Sequence, residues 1–120
     1  MTRLYTRLFV DGRSPLAGVL ATVTASVSGR VESGTVFGAG CALDARTNDD
    51  YSSQALQRDP ADFVYFPYTV EIEAAGERMS LKQYLGVVGT VMQALAGAGM
   101  RVVAACDWED RLPGRGRLGL

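Results

Sequence analysis

The side chains best suited to chemistry cluster near the C-terminus, in Ala104-Ala105-Cys106-Asp107-Trp108-Glu109-Asp110-Arg111-Leu112-Pro113. A thiol, three carboxylates and an indole lie within five positions. The carboxylates Asp107, Glu109 and Asp110, taken with Asp44, Asp49 and Asp50, have the hard oxygen atoms that magnesium or calcium prefers. Their spacing does not match an EF-hand loop, and no two of them are selected as an acid–base pair. A solvated acidic rim is the simpler reading. Cys41 and Cys106 both sit in apolar runs, where a free buried thiol is the default. Nucleophilic use of either would require an activating base or cation.

The chain has no histidine. That excludes Ser-His-Asp and Cys-His catalysis, and it removes the commonest general base and metal ligand. The glycines of Gly34-Thr35-Val36-Phe37-Gly38-Ala39-Gly40 could suggest a phosphate loop, but they precede no helix start and lack the Gly-Lys-Ser/Thr ending. A strand bulge fits them better. Two cysteines are too few for a disulfide framework. No cofactor or metal is expected.

Charge is unevenly spread. The last ten residues hold three of the twelve basic side chains and no acid, which leaves nine against thirteen acids, a net of −4, over residues 1–110. Between Asp44 and Glu73 seven acids face two arginines. Such a stretch repels phosphate and argues against a nucleic-acid partner. The uncharged run from Tyr84 to Met100 is too short and glycine-rich for a membrane span. The run Leu16–Gly29 following Arg3, Arg7 and Arg13 is a poor secretory signal, so a cytoplasmic location is expected.

These side chains must be carried by a compact scaffold. At 120 residues the chain fits a single α+β domain, placed over 1–110, with an Arg/Gly/Pro-rich tail over 111–120. Residues 3–10 alternate with period two and predict a strand. Ser14-Pro15 predicts a helix start, with Leu16, Val19, Leu20 and Val23 on one face. Thr35–Thr47 reads as one long strand loosened by Gly38 and Gly40, and residues 51–61 read as loop. Phe63–Glu73 reads as the clearest strand, with Val64, Phe66, Tyr68, Val70 and Ile72 on one apolar face, despite Pro67. Ser80 caps a second helix whose buried stripe is Leu81, Leu85, Val88, Met92 and Leu95. Arg101–Trp108 completes the order β-α-β-β-α-β. The expectation is therefore a ferredoxin-like sandwich, a four-stranded antiparallel sheet with two helices on one face. Its other face would be open and carry Arg3, Tyr5, Arg7, Phe9, Phe63, Tyr65, Glu71 and Glu73. Base stacking by these aromatics would require an RNP-type strand in a basic context, which is absent. A protein-contact surface, or pairing with a second copy as a homodimer through the open face, is favoured.

The strand Phe63, Tyr65, Tyr68, Glu71, Ile72, Glu73 and the ending Cys106, Asp107, Trp108, Glu109, Asp110, Leu112, Pro113 together resemble a group of small uncharacterised bacterial (actinobacterial-type) α+β proteins. The resemblance covers roughly the second half of the chain. It implies an immunity- or antitoxin-like role and transfers no catalytic residue. The expected function is a protein-binding module rather than an enzyme: an immunity-type inhibitor that neutralises a toxin by surface complementarity. Its partner-binding residues are expected to be Asp107, Trp108, Glu109, Asp110, Tyr65, Glu71 and Glu73, with the acids mimicking phosphates. The alternative is a small dimeric barrel enzyme or ligand-binding protein using Tyr5, Tyr65, Arg7 and Glu71. A dimeric small-molecule sensor is a third class.

Overall fold

The computed structural model describes residues 3–76 and 78–120. Seven strands and three α-helices are present among them: β1 Tyr5–Asp11, α1 Leu16–Ser26, β2 Arg30–Glu32, β3 Thr35–Gly38, β4 Cys41–Thr47, α2 Ser53–Arg58, β5 Tyr68–Ala74, α3 Leu81–Gly97, β6 Arg101–Ala105 and β7 Arg117–Leu118. All seven strands join one antiparallel sheet in the order β2-β3-β4-β5-β1-β6-β7. The expected four-stranded, two-helix ferredoxin-like layout is thereby overturned.

Three local causes account for the difference. First, Thr35–Thr47 is two strands. Ala39 and Gly40 take φ of 52° and 77°, and Ser33 and Gly34 take 51° and 85°. Two successive left-handed residues make the tight turns that suit right-twisted hairpins. The chain therefore folds back at both places, and β2-β3-β4 is a meander. Gly38 is required beside the second turn, because a Cβ there would lie 2.8 Å from the Val27 carbonyl oxygen. Second, β5 starts only at Tyr68, after Pro67, and Phe63–Tyr65 is a 3-10 turn. Third, residues 111–120 are not separate from the fold. Leu112 is buried, and Arg117–Leu118 pairs with Val103 and Val102 of β6. Within 51–61, read as loop, Ser52 accepts a hydrogen bond from the Ala55 amide and starts α2.

α1 and α3 form where the apolar spacing puts them, α3 with the expected cap and α1 with a different one. Ser80 and Gln83 make a reciprocal capping box at the start of α3. Pro15, not Ser14, is the N-cap of α1, and its carbonyl accepts from Gly18 and Val19. The core lies between α1 and α3 and one sheet face, and includes Leu8, Val10, Leu43, Val70, Ile72 and Val102 against Val19, Val23, Val88, Met92 and Leu95. No described helix is long and apolar enough to cross a membrane.

Tyr84 ties this core together. It is fully buried, and its hydroxyl donates to the Ile72 carbonyl (2.7 Å) and is hydrogen-bonded to the Thr6 hydroxyl (2.8 Å). Thr6 and Ile72 are register partners on β1 and β5, so one phenol joins α3 to the two central strands. Trp108 meets the same ring edge-on, with centroids 6.3 Å apart. Burial holds the Tyr84 hydroxyl well above the usual tyrosine range.

Tyr84→Phe should cost about 1–3 kcal/mol in chemical denaturation, because it strands two buried polar groups. Its pH dependence has a defined sign. Above pH about 10 the unfolded tyrosine ionises while the folded one does not, so stability falls with rising pH, by at most about 1.4 kcal/mol per unit from this group. Cys41, also raised by burial, adds a fall of the same sign. The alkaline slope should be shallower in Tyr84→Phe. An unchanged slope would show that Tyr84 is not the group responsible.

Candidate functional site

The sheet face away from the helices is divided into two halves by the connection between β4 and β5. Asn48, at the end of β4, is nearly buried. Its side-chain amide donates to the carbonyls of Val64 (2.9 Å) and Phe66 (2.7 Å), and its side-chain oxygen accepts from the Asp50 amide (3.1 Å). Its backbone amide donates to the Pro67 carbonyl (2.8 Å). The 49–66 excursion is thereby folded back over the outer face.

Beneath it lies a second, smaller apolar cluster. Phe66 is fully buried, with the Arg101 guanidinium 4.5 Å from its ring centre. Phe63 packs on Phe9 with centroids 5.2 Å apart, and the Arg117 guanidinium lies 5.5 Å from the Phe63 ring centre. Arg101 Nε donates to Asp11 (3.0 Å), and its Nη1 donates to the Pro60 carbonyl. Cations over aromatic faces contribute about 0.5–1 kcal/mol each at such partly exposed positions. Phe9, expected on an open face, is therefore a packing residue.

The other half of the face stays open. Register aligns Asp44 with Glu71, and Glu71 with Arg7. The Thr35 hydroxyl donates to Asp44 (2.7 Å), and Arg7 donates to Glu71 (2.8 Å). A polar row thus crosses β3, β4, β5 and β1. One register step on, Glu73 pairs with Arg3, whose guanidinium lies 4.9 Å from the Tyr5 ring centre. A trough of about 370 Å³ follows these strands, lined by Tyr5, Phe37, Ala42, Asp44, Glu71 and Glu73 with the start of the β5–α3 loop. The ion pairs are exposed and each contributes only about 0–1 kcal/mol, so they orient the carboxylates more than they stabilise the fold.

The residues expected to bind a partner are split by this geometry. Glu71 and Glu73 lie on the open half. Asp107, Glu109 and Asp110 are exposed just beyond β6, at the sheet end marked by Tyr5 and Glu73. Trp108 is half-buried against Tyr84 and turned to the helix layer, so it anchors its acidic neighbours. The Glu109 side chain accepts from the Cys106 amide (3.3 Å), which tightens that turn. Tyr65 sits in the excursion, past the Tyr68 end of β5 and away from the acids. Cys41 is buried, with its sulfur 3.8 Å from that of Met79, and burial raises its thiol. Cys106 is half-buried. The sequence pattern does not place Asp44, Thr35 and Phe37 on the open face, because Gly38 and Gly40 fit a bulge as well as the turn at Ala39-Gly40 that aligns them.

Comparison of the chain with family models, with curated proteins and with solved structures gave no match in any of the three.

Placing a carboxylate beneath Phe63 should be costly. Phe9→Asp is expected to lower stability by about 2–4 kcal/mol in urea denaturation, through lost ring packing and an unpaired charge. A fully stable variant would show that the excursion does not cover Phe9.

Proposed function

We propose that the chain is a protein-binding module, an immunity-type inhibitor that occupies a basic site on a toxin. The observation that supports this most is the row Thr35–Asp44–Glu71–Arg7 with Glu73 beside it. Its carboxylates are fixed by hydrogen bonds on strands rather than loops, and rigid elements hold binding groups more accurately than loops do. Tyr5 and Phe37 flank them, and aromatic residues next to oriented charges are typical of the centre of a protein interface. Asp44, Glu71 and Glu73 line an open trough across the sheet, a shape suited to a partner's surface.

Charge distribution supports the choice of partner. Of the acids between Asp44 and Glu73, Asp44, Glu71 and Glu73 line the trough, and Asp107, Glu109 and Asp110 extend the acidic character past one end of the sheet. A basic partner would be steered to such a surface, with faster association at low salt. The strand and C-terminal motif resemble a group of small uncharacterised bacterial proteins, and the immunity- or antitoxin-like role which that resemblance implies points the same way.

The test is co-purification from the native host, then titration of the captured protein. Asp44→Ala with Glu73→Ala, and separately Asp107→Ala with Glu109→Ala, should each weaken binding by roughly tenfold or more, mainly through slower association at low salt. Equal affinity of both double variants and wild type would refute this surface. A captured partner that is acidic at its contact face would refute the charge argument.

A further inference from the structure

The helix-layer side of the sheet ends at β2 without a cover. β2 is the last strand of the sheet, all three of its residues are exposed, and Val31 is 47% exposed. Val31 pairs with Val36, which is fully buried on the helix side, so Val31 faces the same layer. The helix above that end, α1, carries no charged residue from Leu16 to Ser26, and Ala17, Ala21 and Ala25 are exposed along it. A surface helix normally places charged groups outward.

The backbone of the edge is also open. Glu32 and Thr35 close the two-residue turn, and antiparallel pairing alternates bonded and non-bonded positions. The Val31 N–H and C=O therefore point away from β3. Charged edge strands ordinarily repel further strands. Here the charge order is Arg30-Val31-Glu32, positive, apolar, negative. Set antiparallel to itself about Val31, it places Arg30 opposite Glu32 of a second copy, and Glu32 opposite that copy's Arg30. Parallel pairing would instead place like charges together. Within the chain Arg30 and Glu32 already reach each other (3.1 Å) on the outer face, both largely exposed, and the Arg30 guanidinium lies 5.7 Å from the Phe37 ring centre.

We propose that two copies of this chain pair through β2 about a two-fold axis at Val31, forming one sheet continuous across both copies. Reciprocal Val31 N–H to C=O hydrogen bonds and the crossed Arg30–Glu32 pairs set the register. Val31 and the uncharged face of α1 supply the apolar contact. Such an interface is isologous and closes on itself. It leaves the outer-face trough of each copy open on one side of the joined sheet, and its test reads self-association of this chain alone, apart from the partner proposed for that trough.

Sedimentation equilibrium of the full chain tests this. Wild type should form a dimer. Arg30→Glu should weaken it by roughly tenfold, since the two-fold places like charges opposite twice. Adding Glu32→Arg to that variant should restore the wild-type constant, because the order is reversed but still self-complementary. Val31→Pro removes a donor the fold does not use, and should give a monomer with unchanged circular dichroism. If Val31→Pro unfolds, the charge series decides alone. A wild-type monomer at hundred-micromolar concentration, a dimer indifferent to Arg30→Glu, or a folded Val31→Pro that still dimerises would overturn the proposal.

Discussion

Asn48 closes β4 with a side chain whose hydrogen-bonding capacity is spent on its own loop. Its amide holds the carbonyls of Val64 and Phe66, and its oxygen holds the Asp50 amide. Buried polar groups are costly unless paired, so this set forms together or not at all. With it formed, the chain between β4 and β5 lies against the sheet and Phe66 is driven under Arg101. Without it, Phe9, Phe63 and Phe66 would face water. The division of the outer face into a covered and an open half depends on this residue, together with the Arg101 contact to the Pro60 carbonyl and the packing of Phe63 on Phe9.

That division gives the functional reading its shape. The covered half is a small hydrophobic layer sealed by Arg101 and Arg117. The open half is polar, with carboxylates held in register by Arg7, Arg3 and Thr35. On the opposite side, Tyr84 fixes α3 to β1 and β5, and Trp108 docks on the same phenol. The acidic C-terminal turn is thus positioned by the core, through the indole. The two surfaces that carry exposed acids, the trough and the turn after β6, meet at one end of the sheet.

Much of this scaffold was legible in the sequence where periodicity and capping agree. The alternation of β1, the Ser80 cap of α3 and its buried Leu85, Val88, Met92 and Leu95 match the sequence reading, while Tyr84 and Val91, also buried on α3, fall outside the stripe it gives. What could not be read was chain reversal at Ala39, because alanine gives no hint of a left-handed φ, and Gly38 and Gly40 suit a bulge equally well. The alternation Val64-Phe66-Tyr68 was misleading for a related reason. Period two describes which residues are apolar, but Pro67 interrupts the ladder, and Phe66 is buried on the opposite face from Val70 and Ile72. Of the candidate site, Glu71 and Glu73 were legible from strand alternation. Asp44 was visible only as charge, since its place in the row depends on the hairpin. Trp108 was distinctive as a residue type, while its inward orientation depends on Tyr84, distant in sequence.

The central claim, that Asn48 holds the excursion over the sheet, is tested most directly by nuclear Overhauser contacts between the Phe9 and Phe63 rings. The account predicts that these contacts are present in the wild-type protein and lost or strongly weakened in Asn48→Ala, while cross-strand contacts between β1 and β5 persist in both. Absence of the ring contacts in wild type, or their full retention in Asn48→Ala, would contradict it.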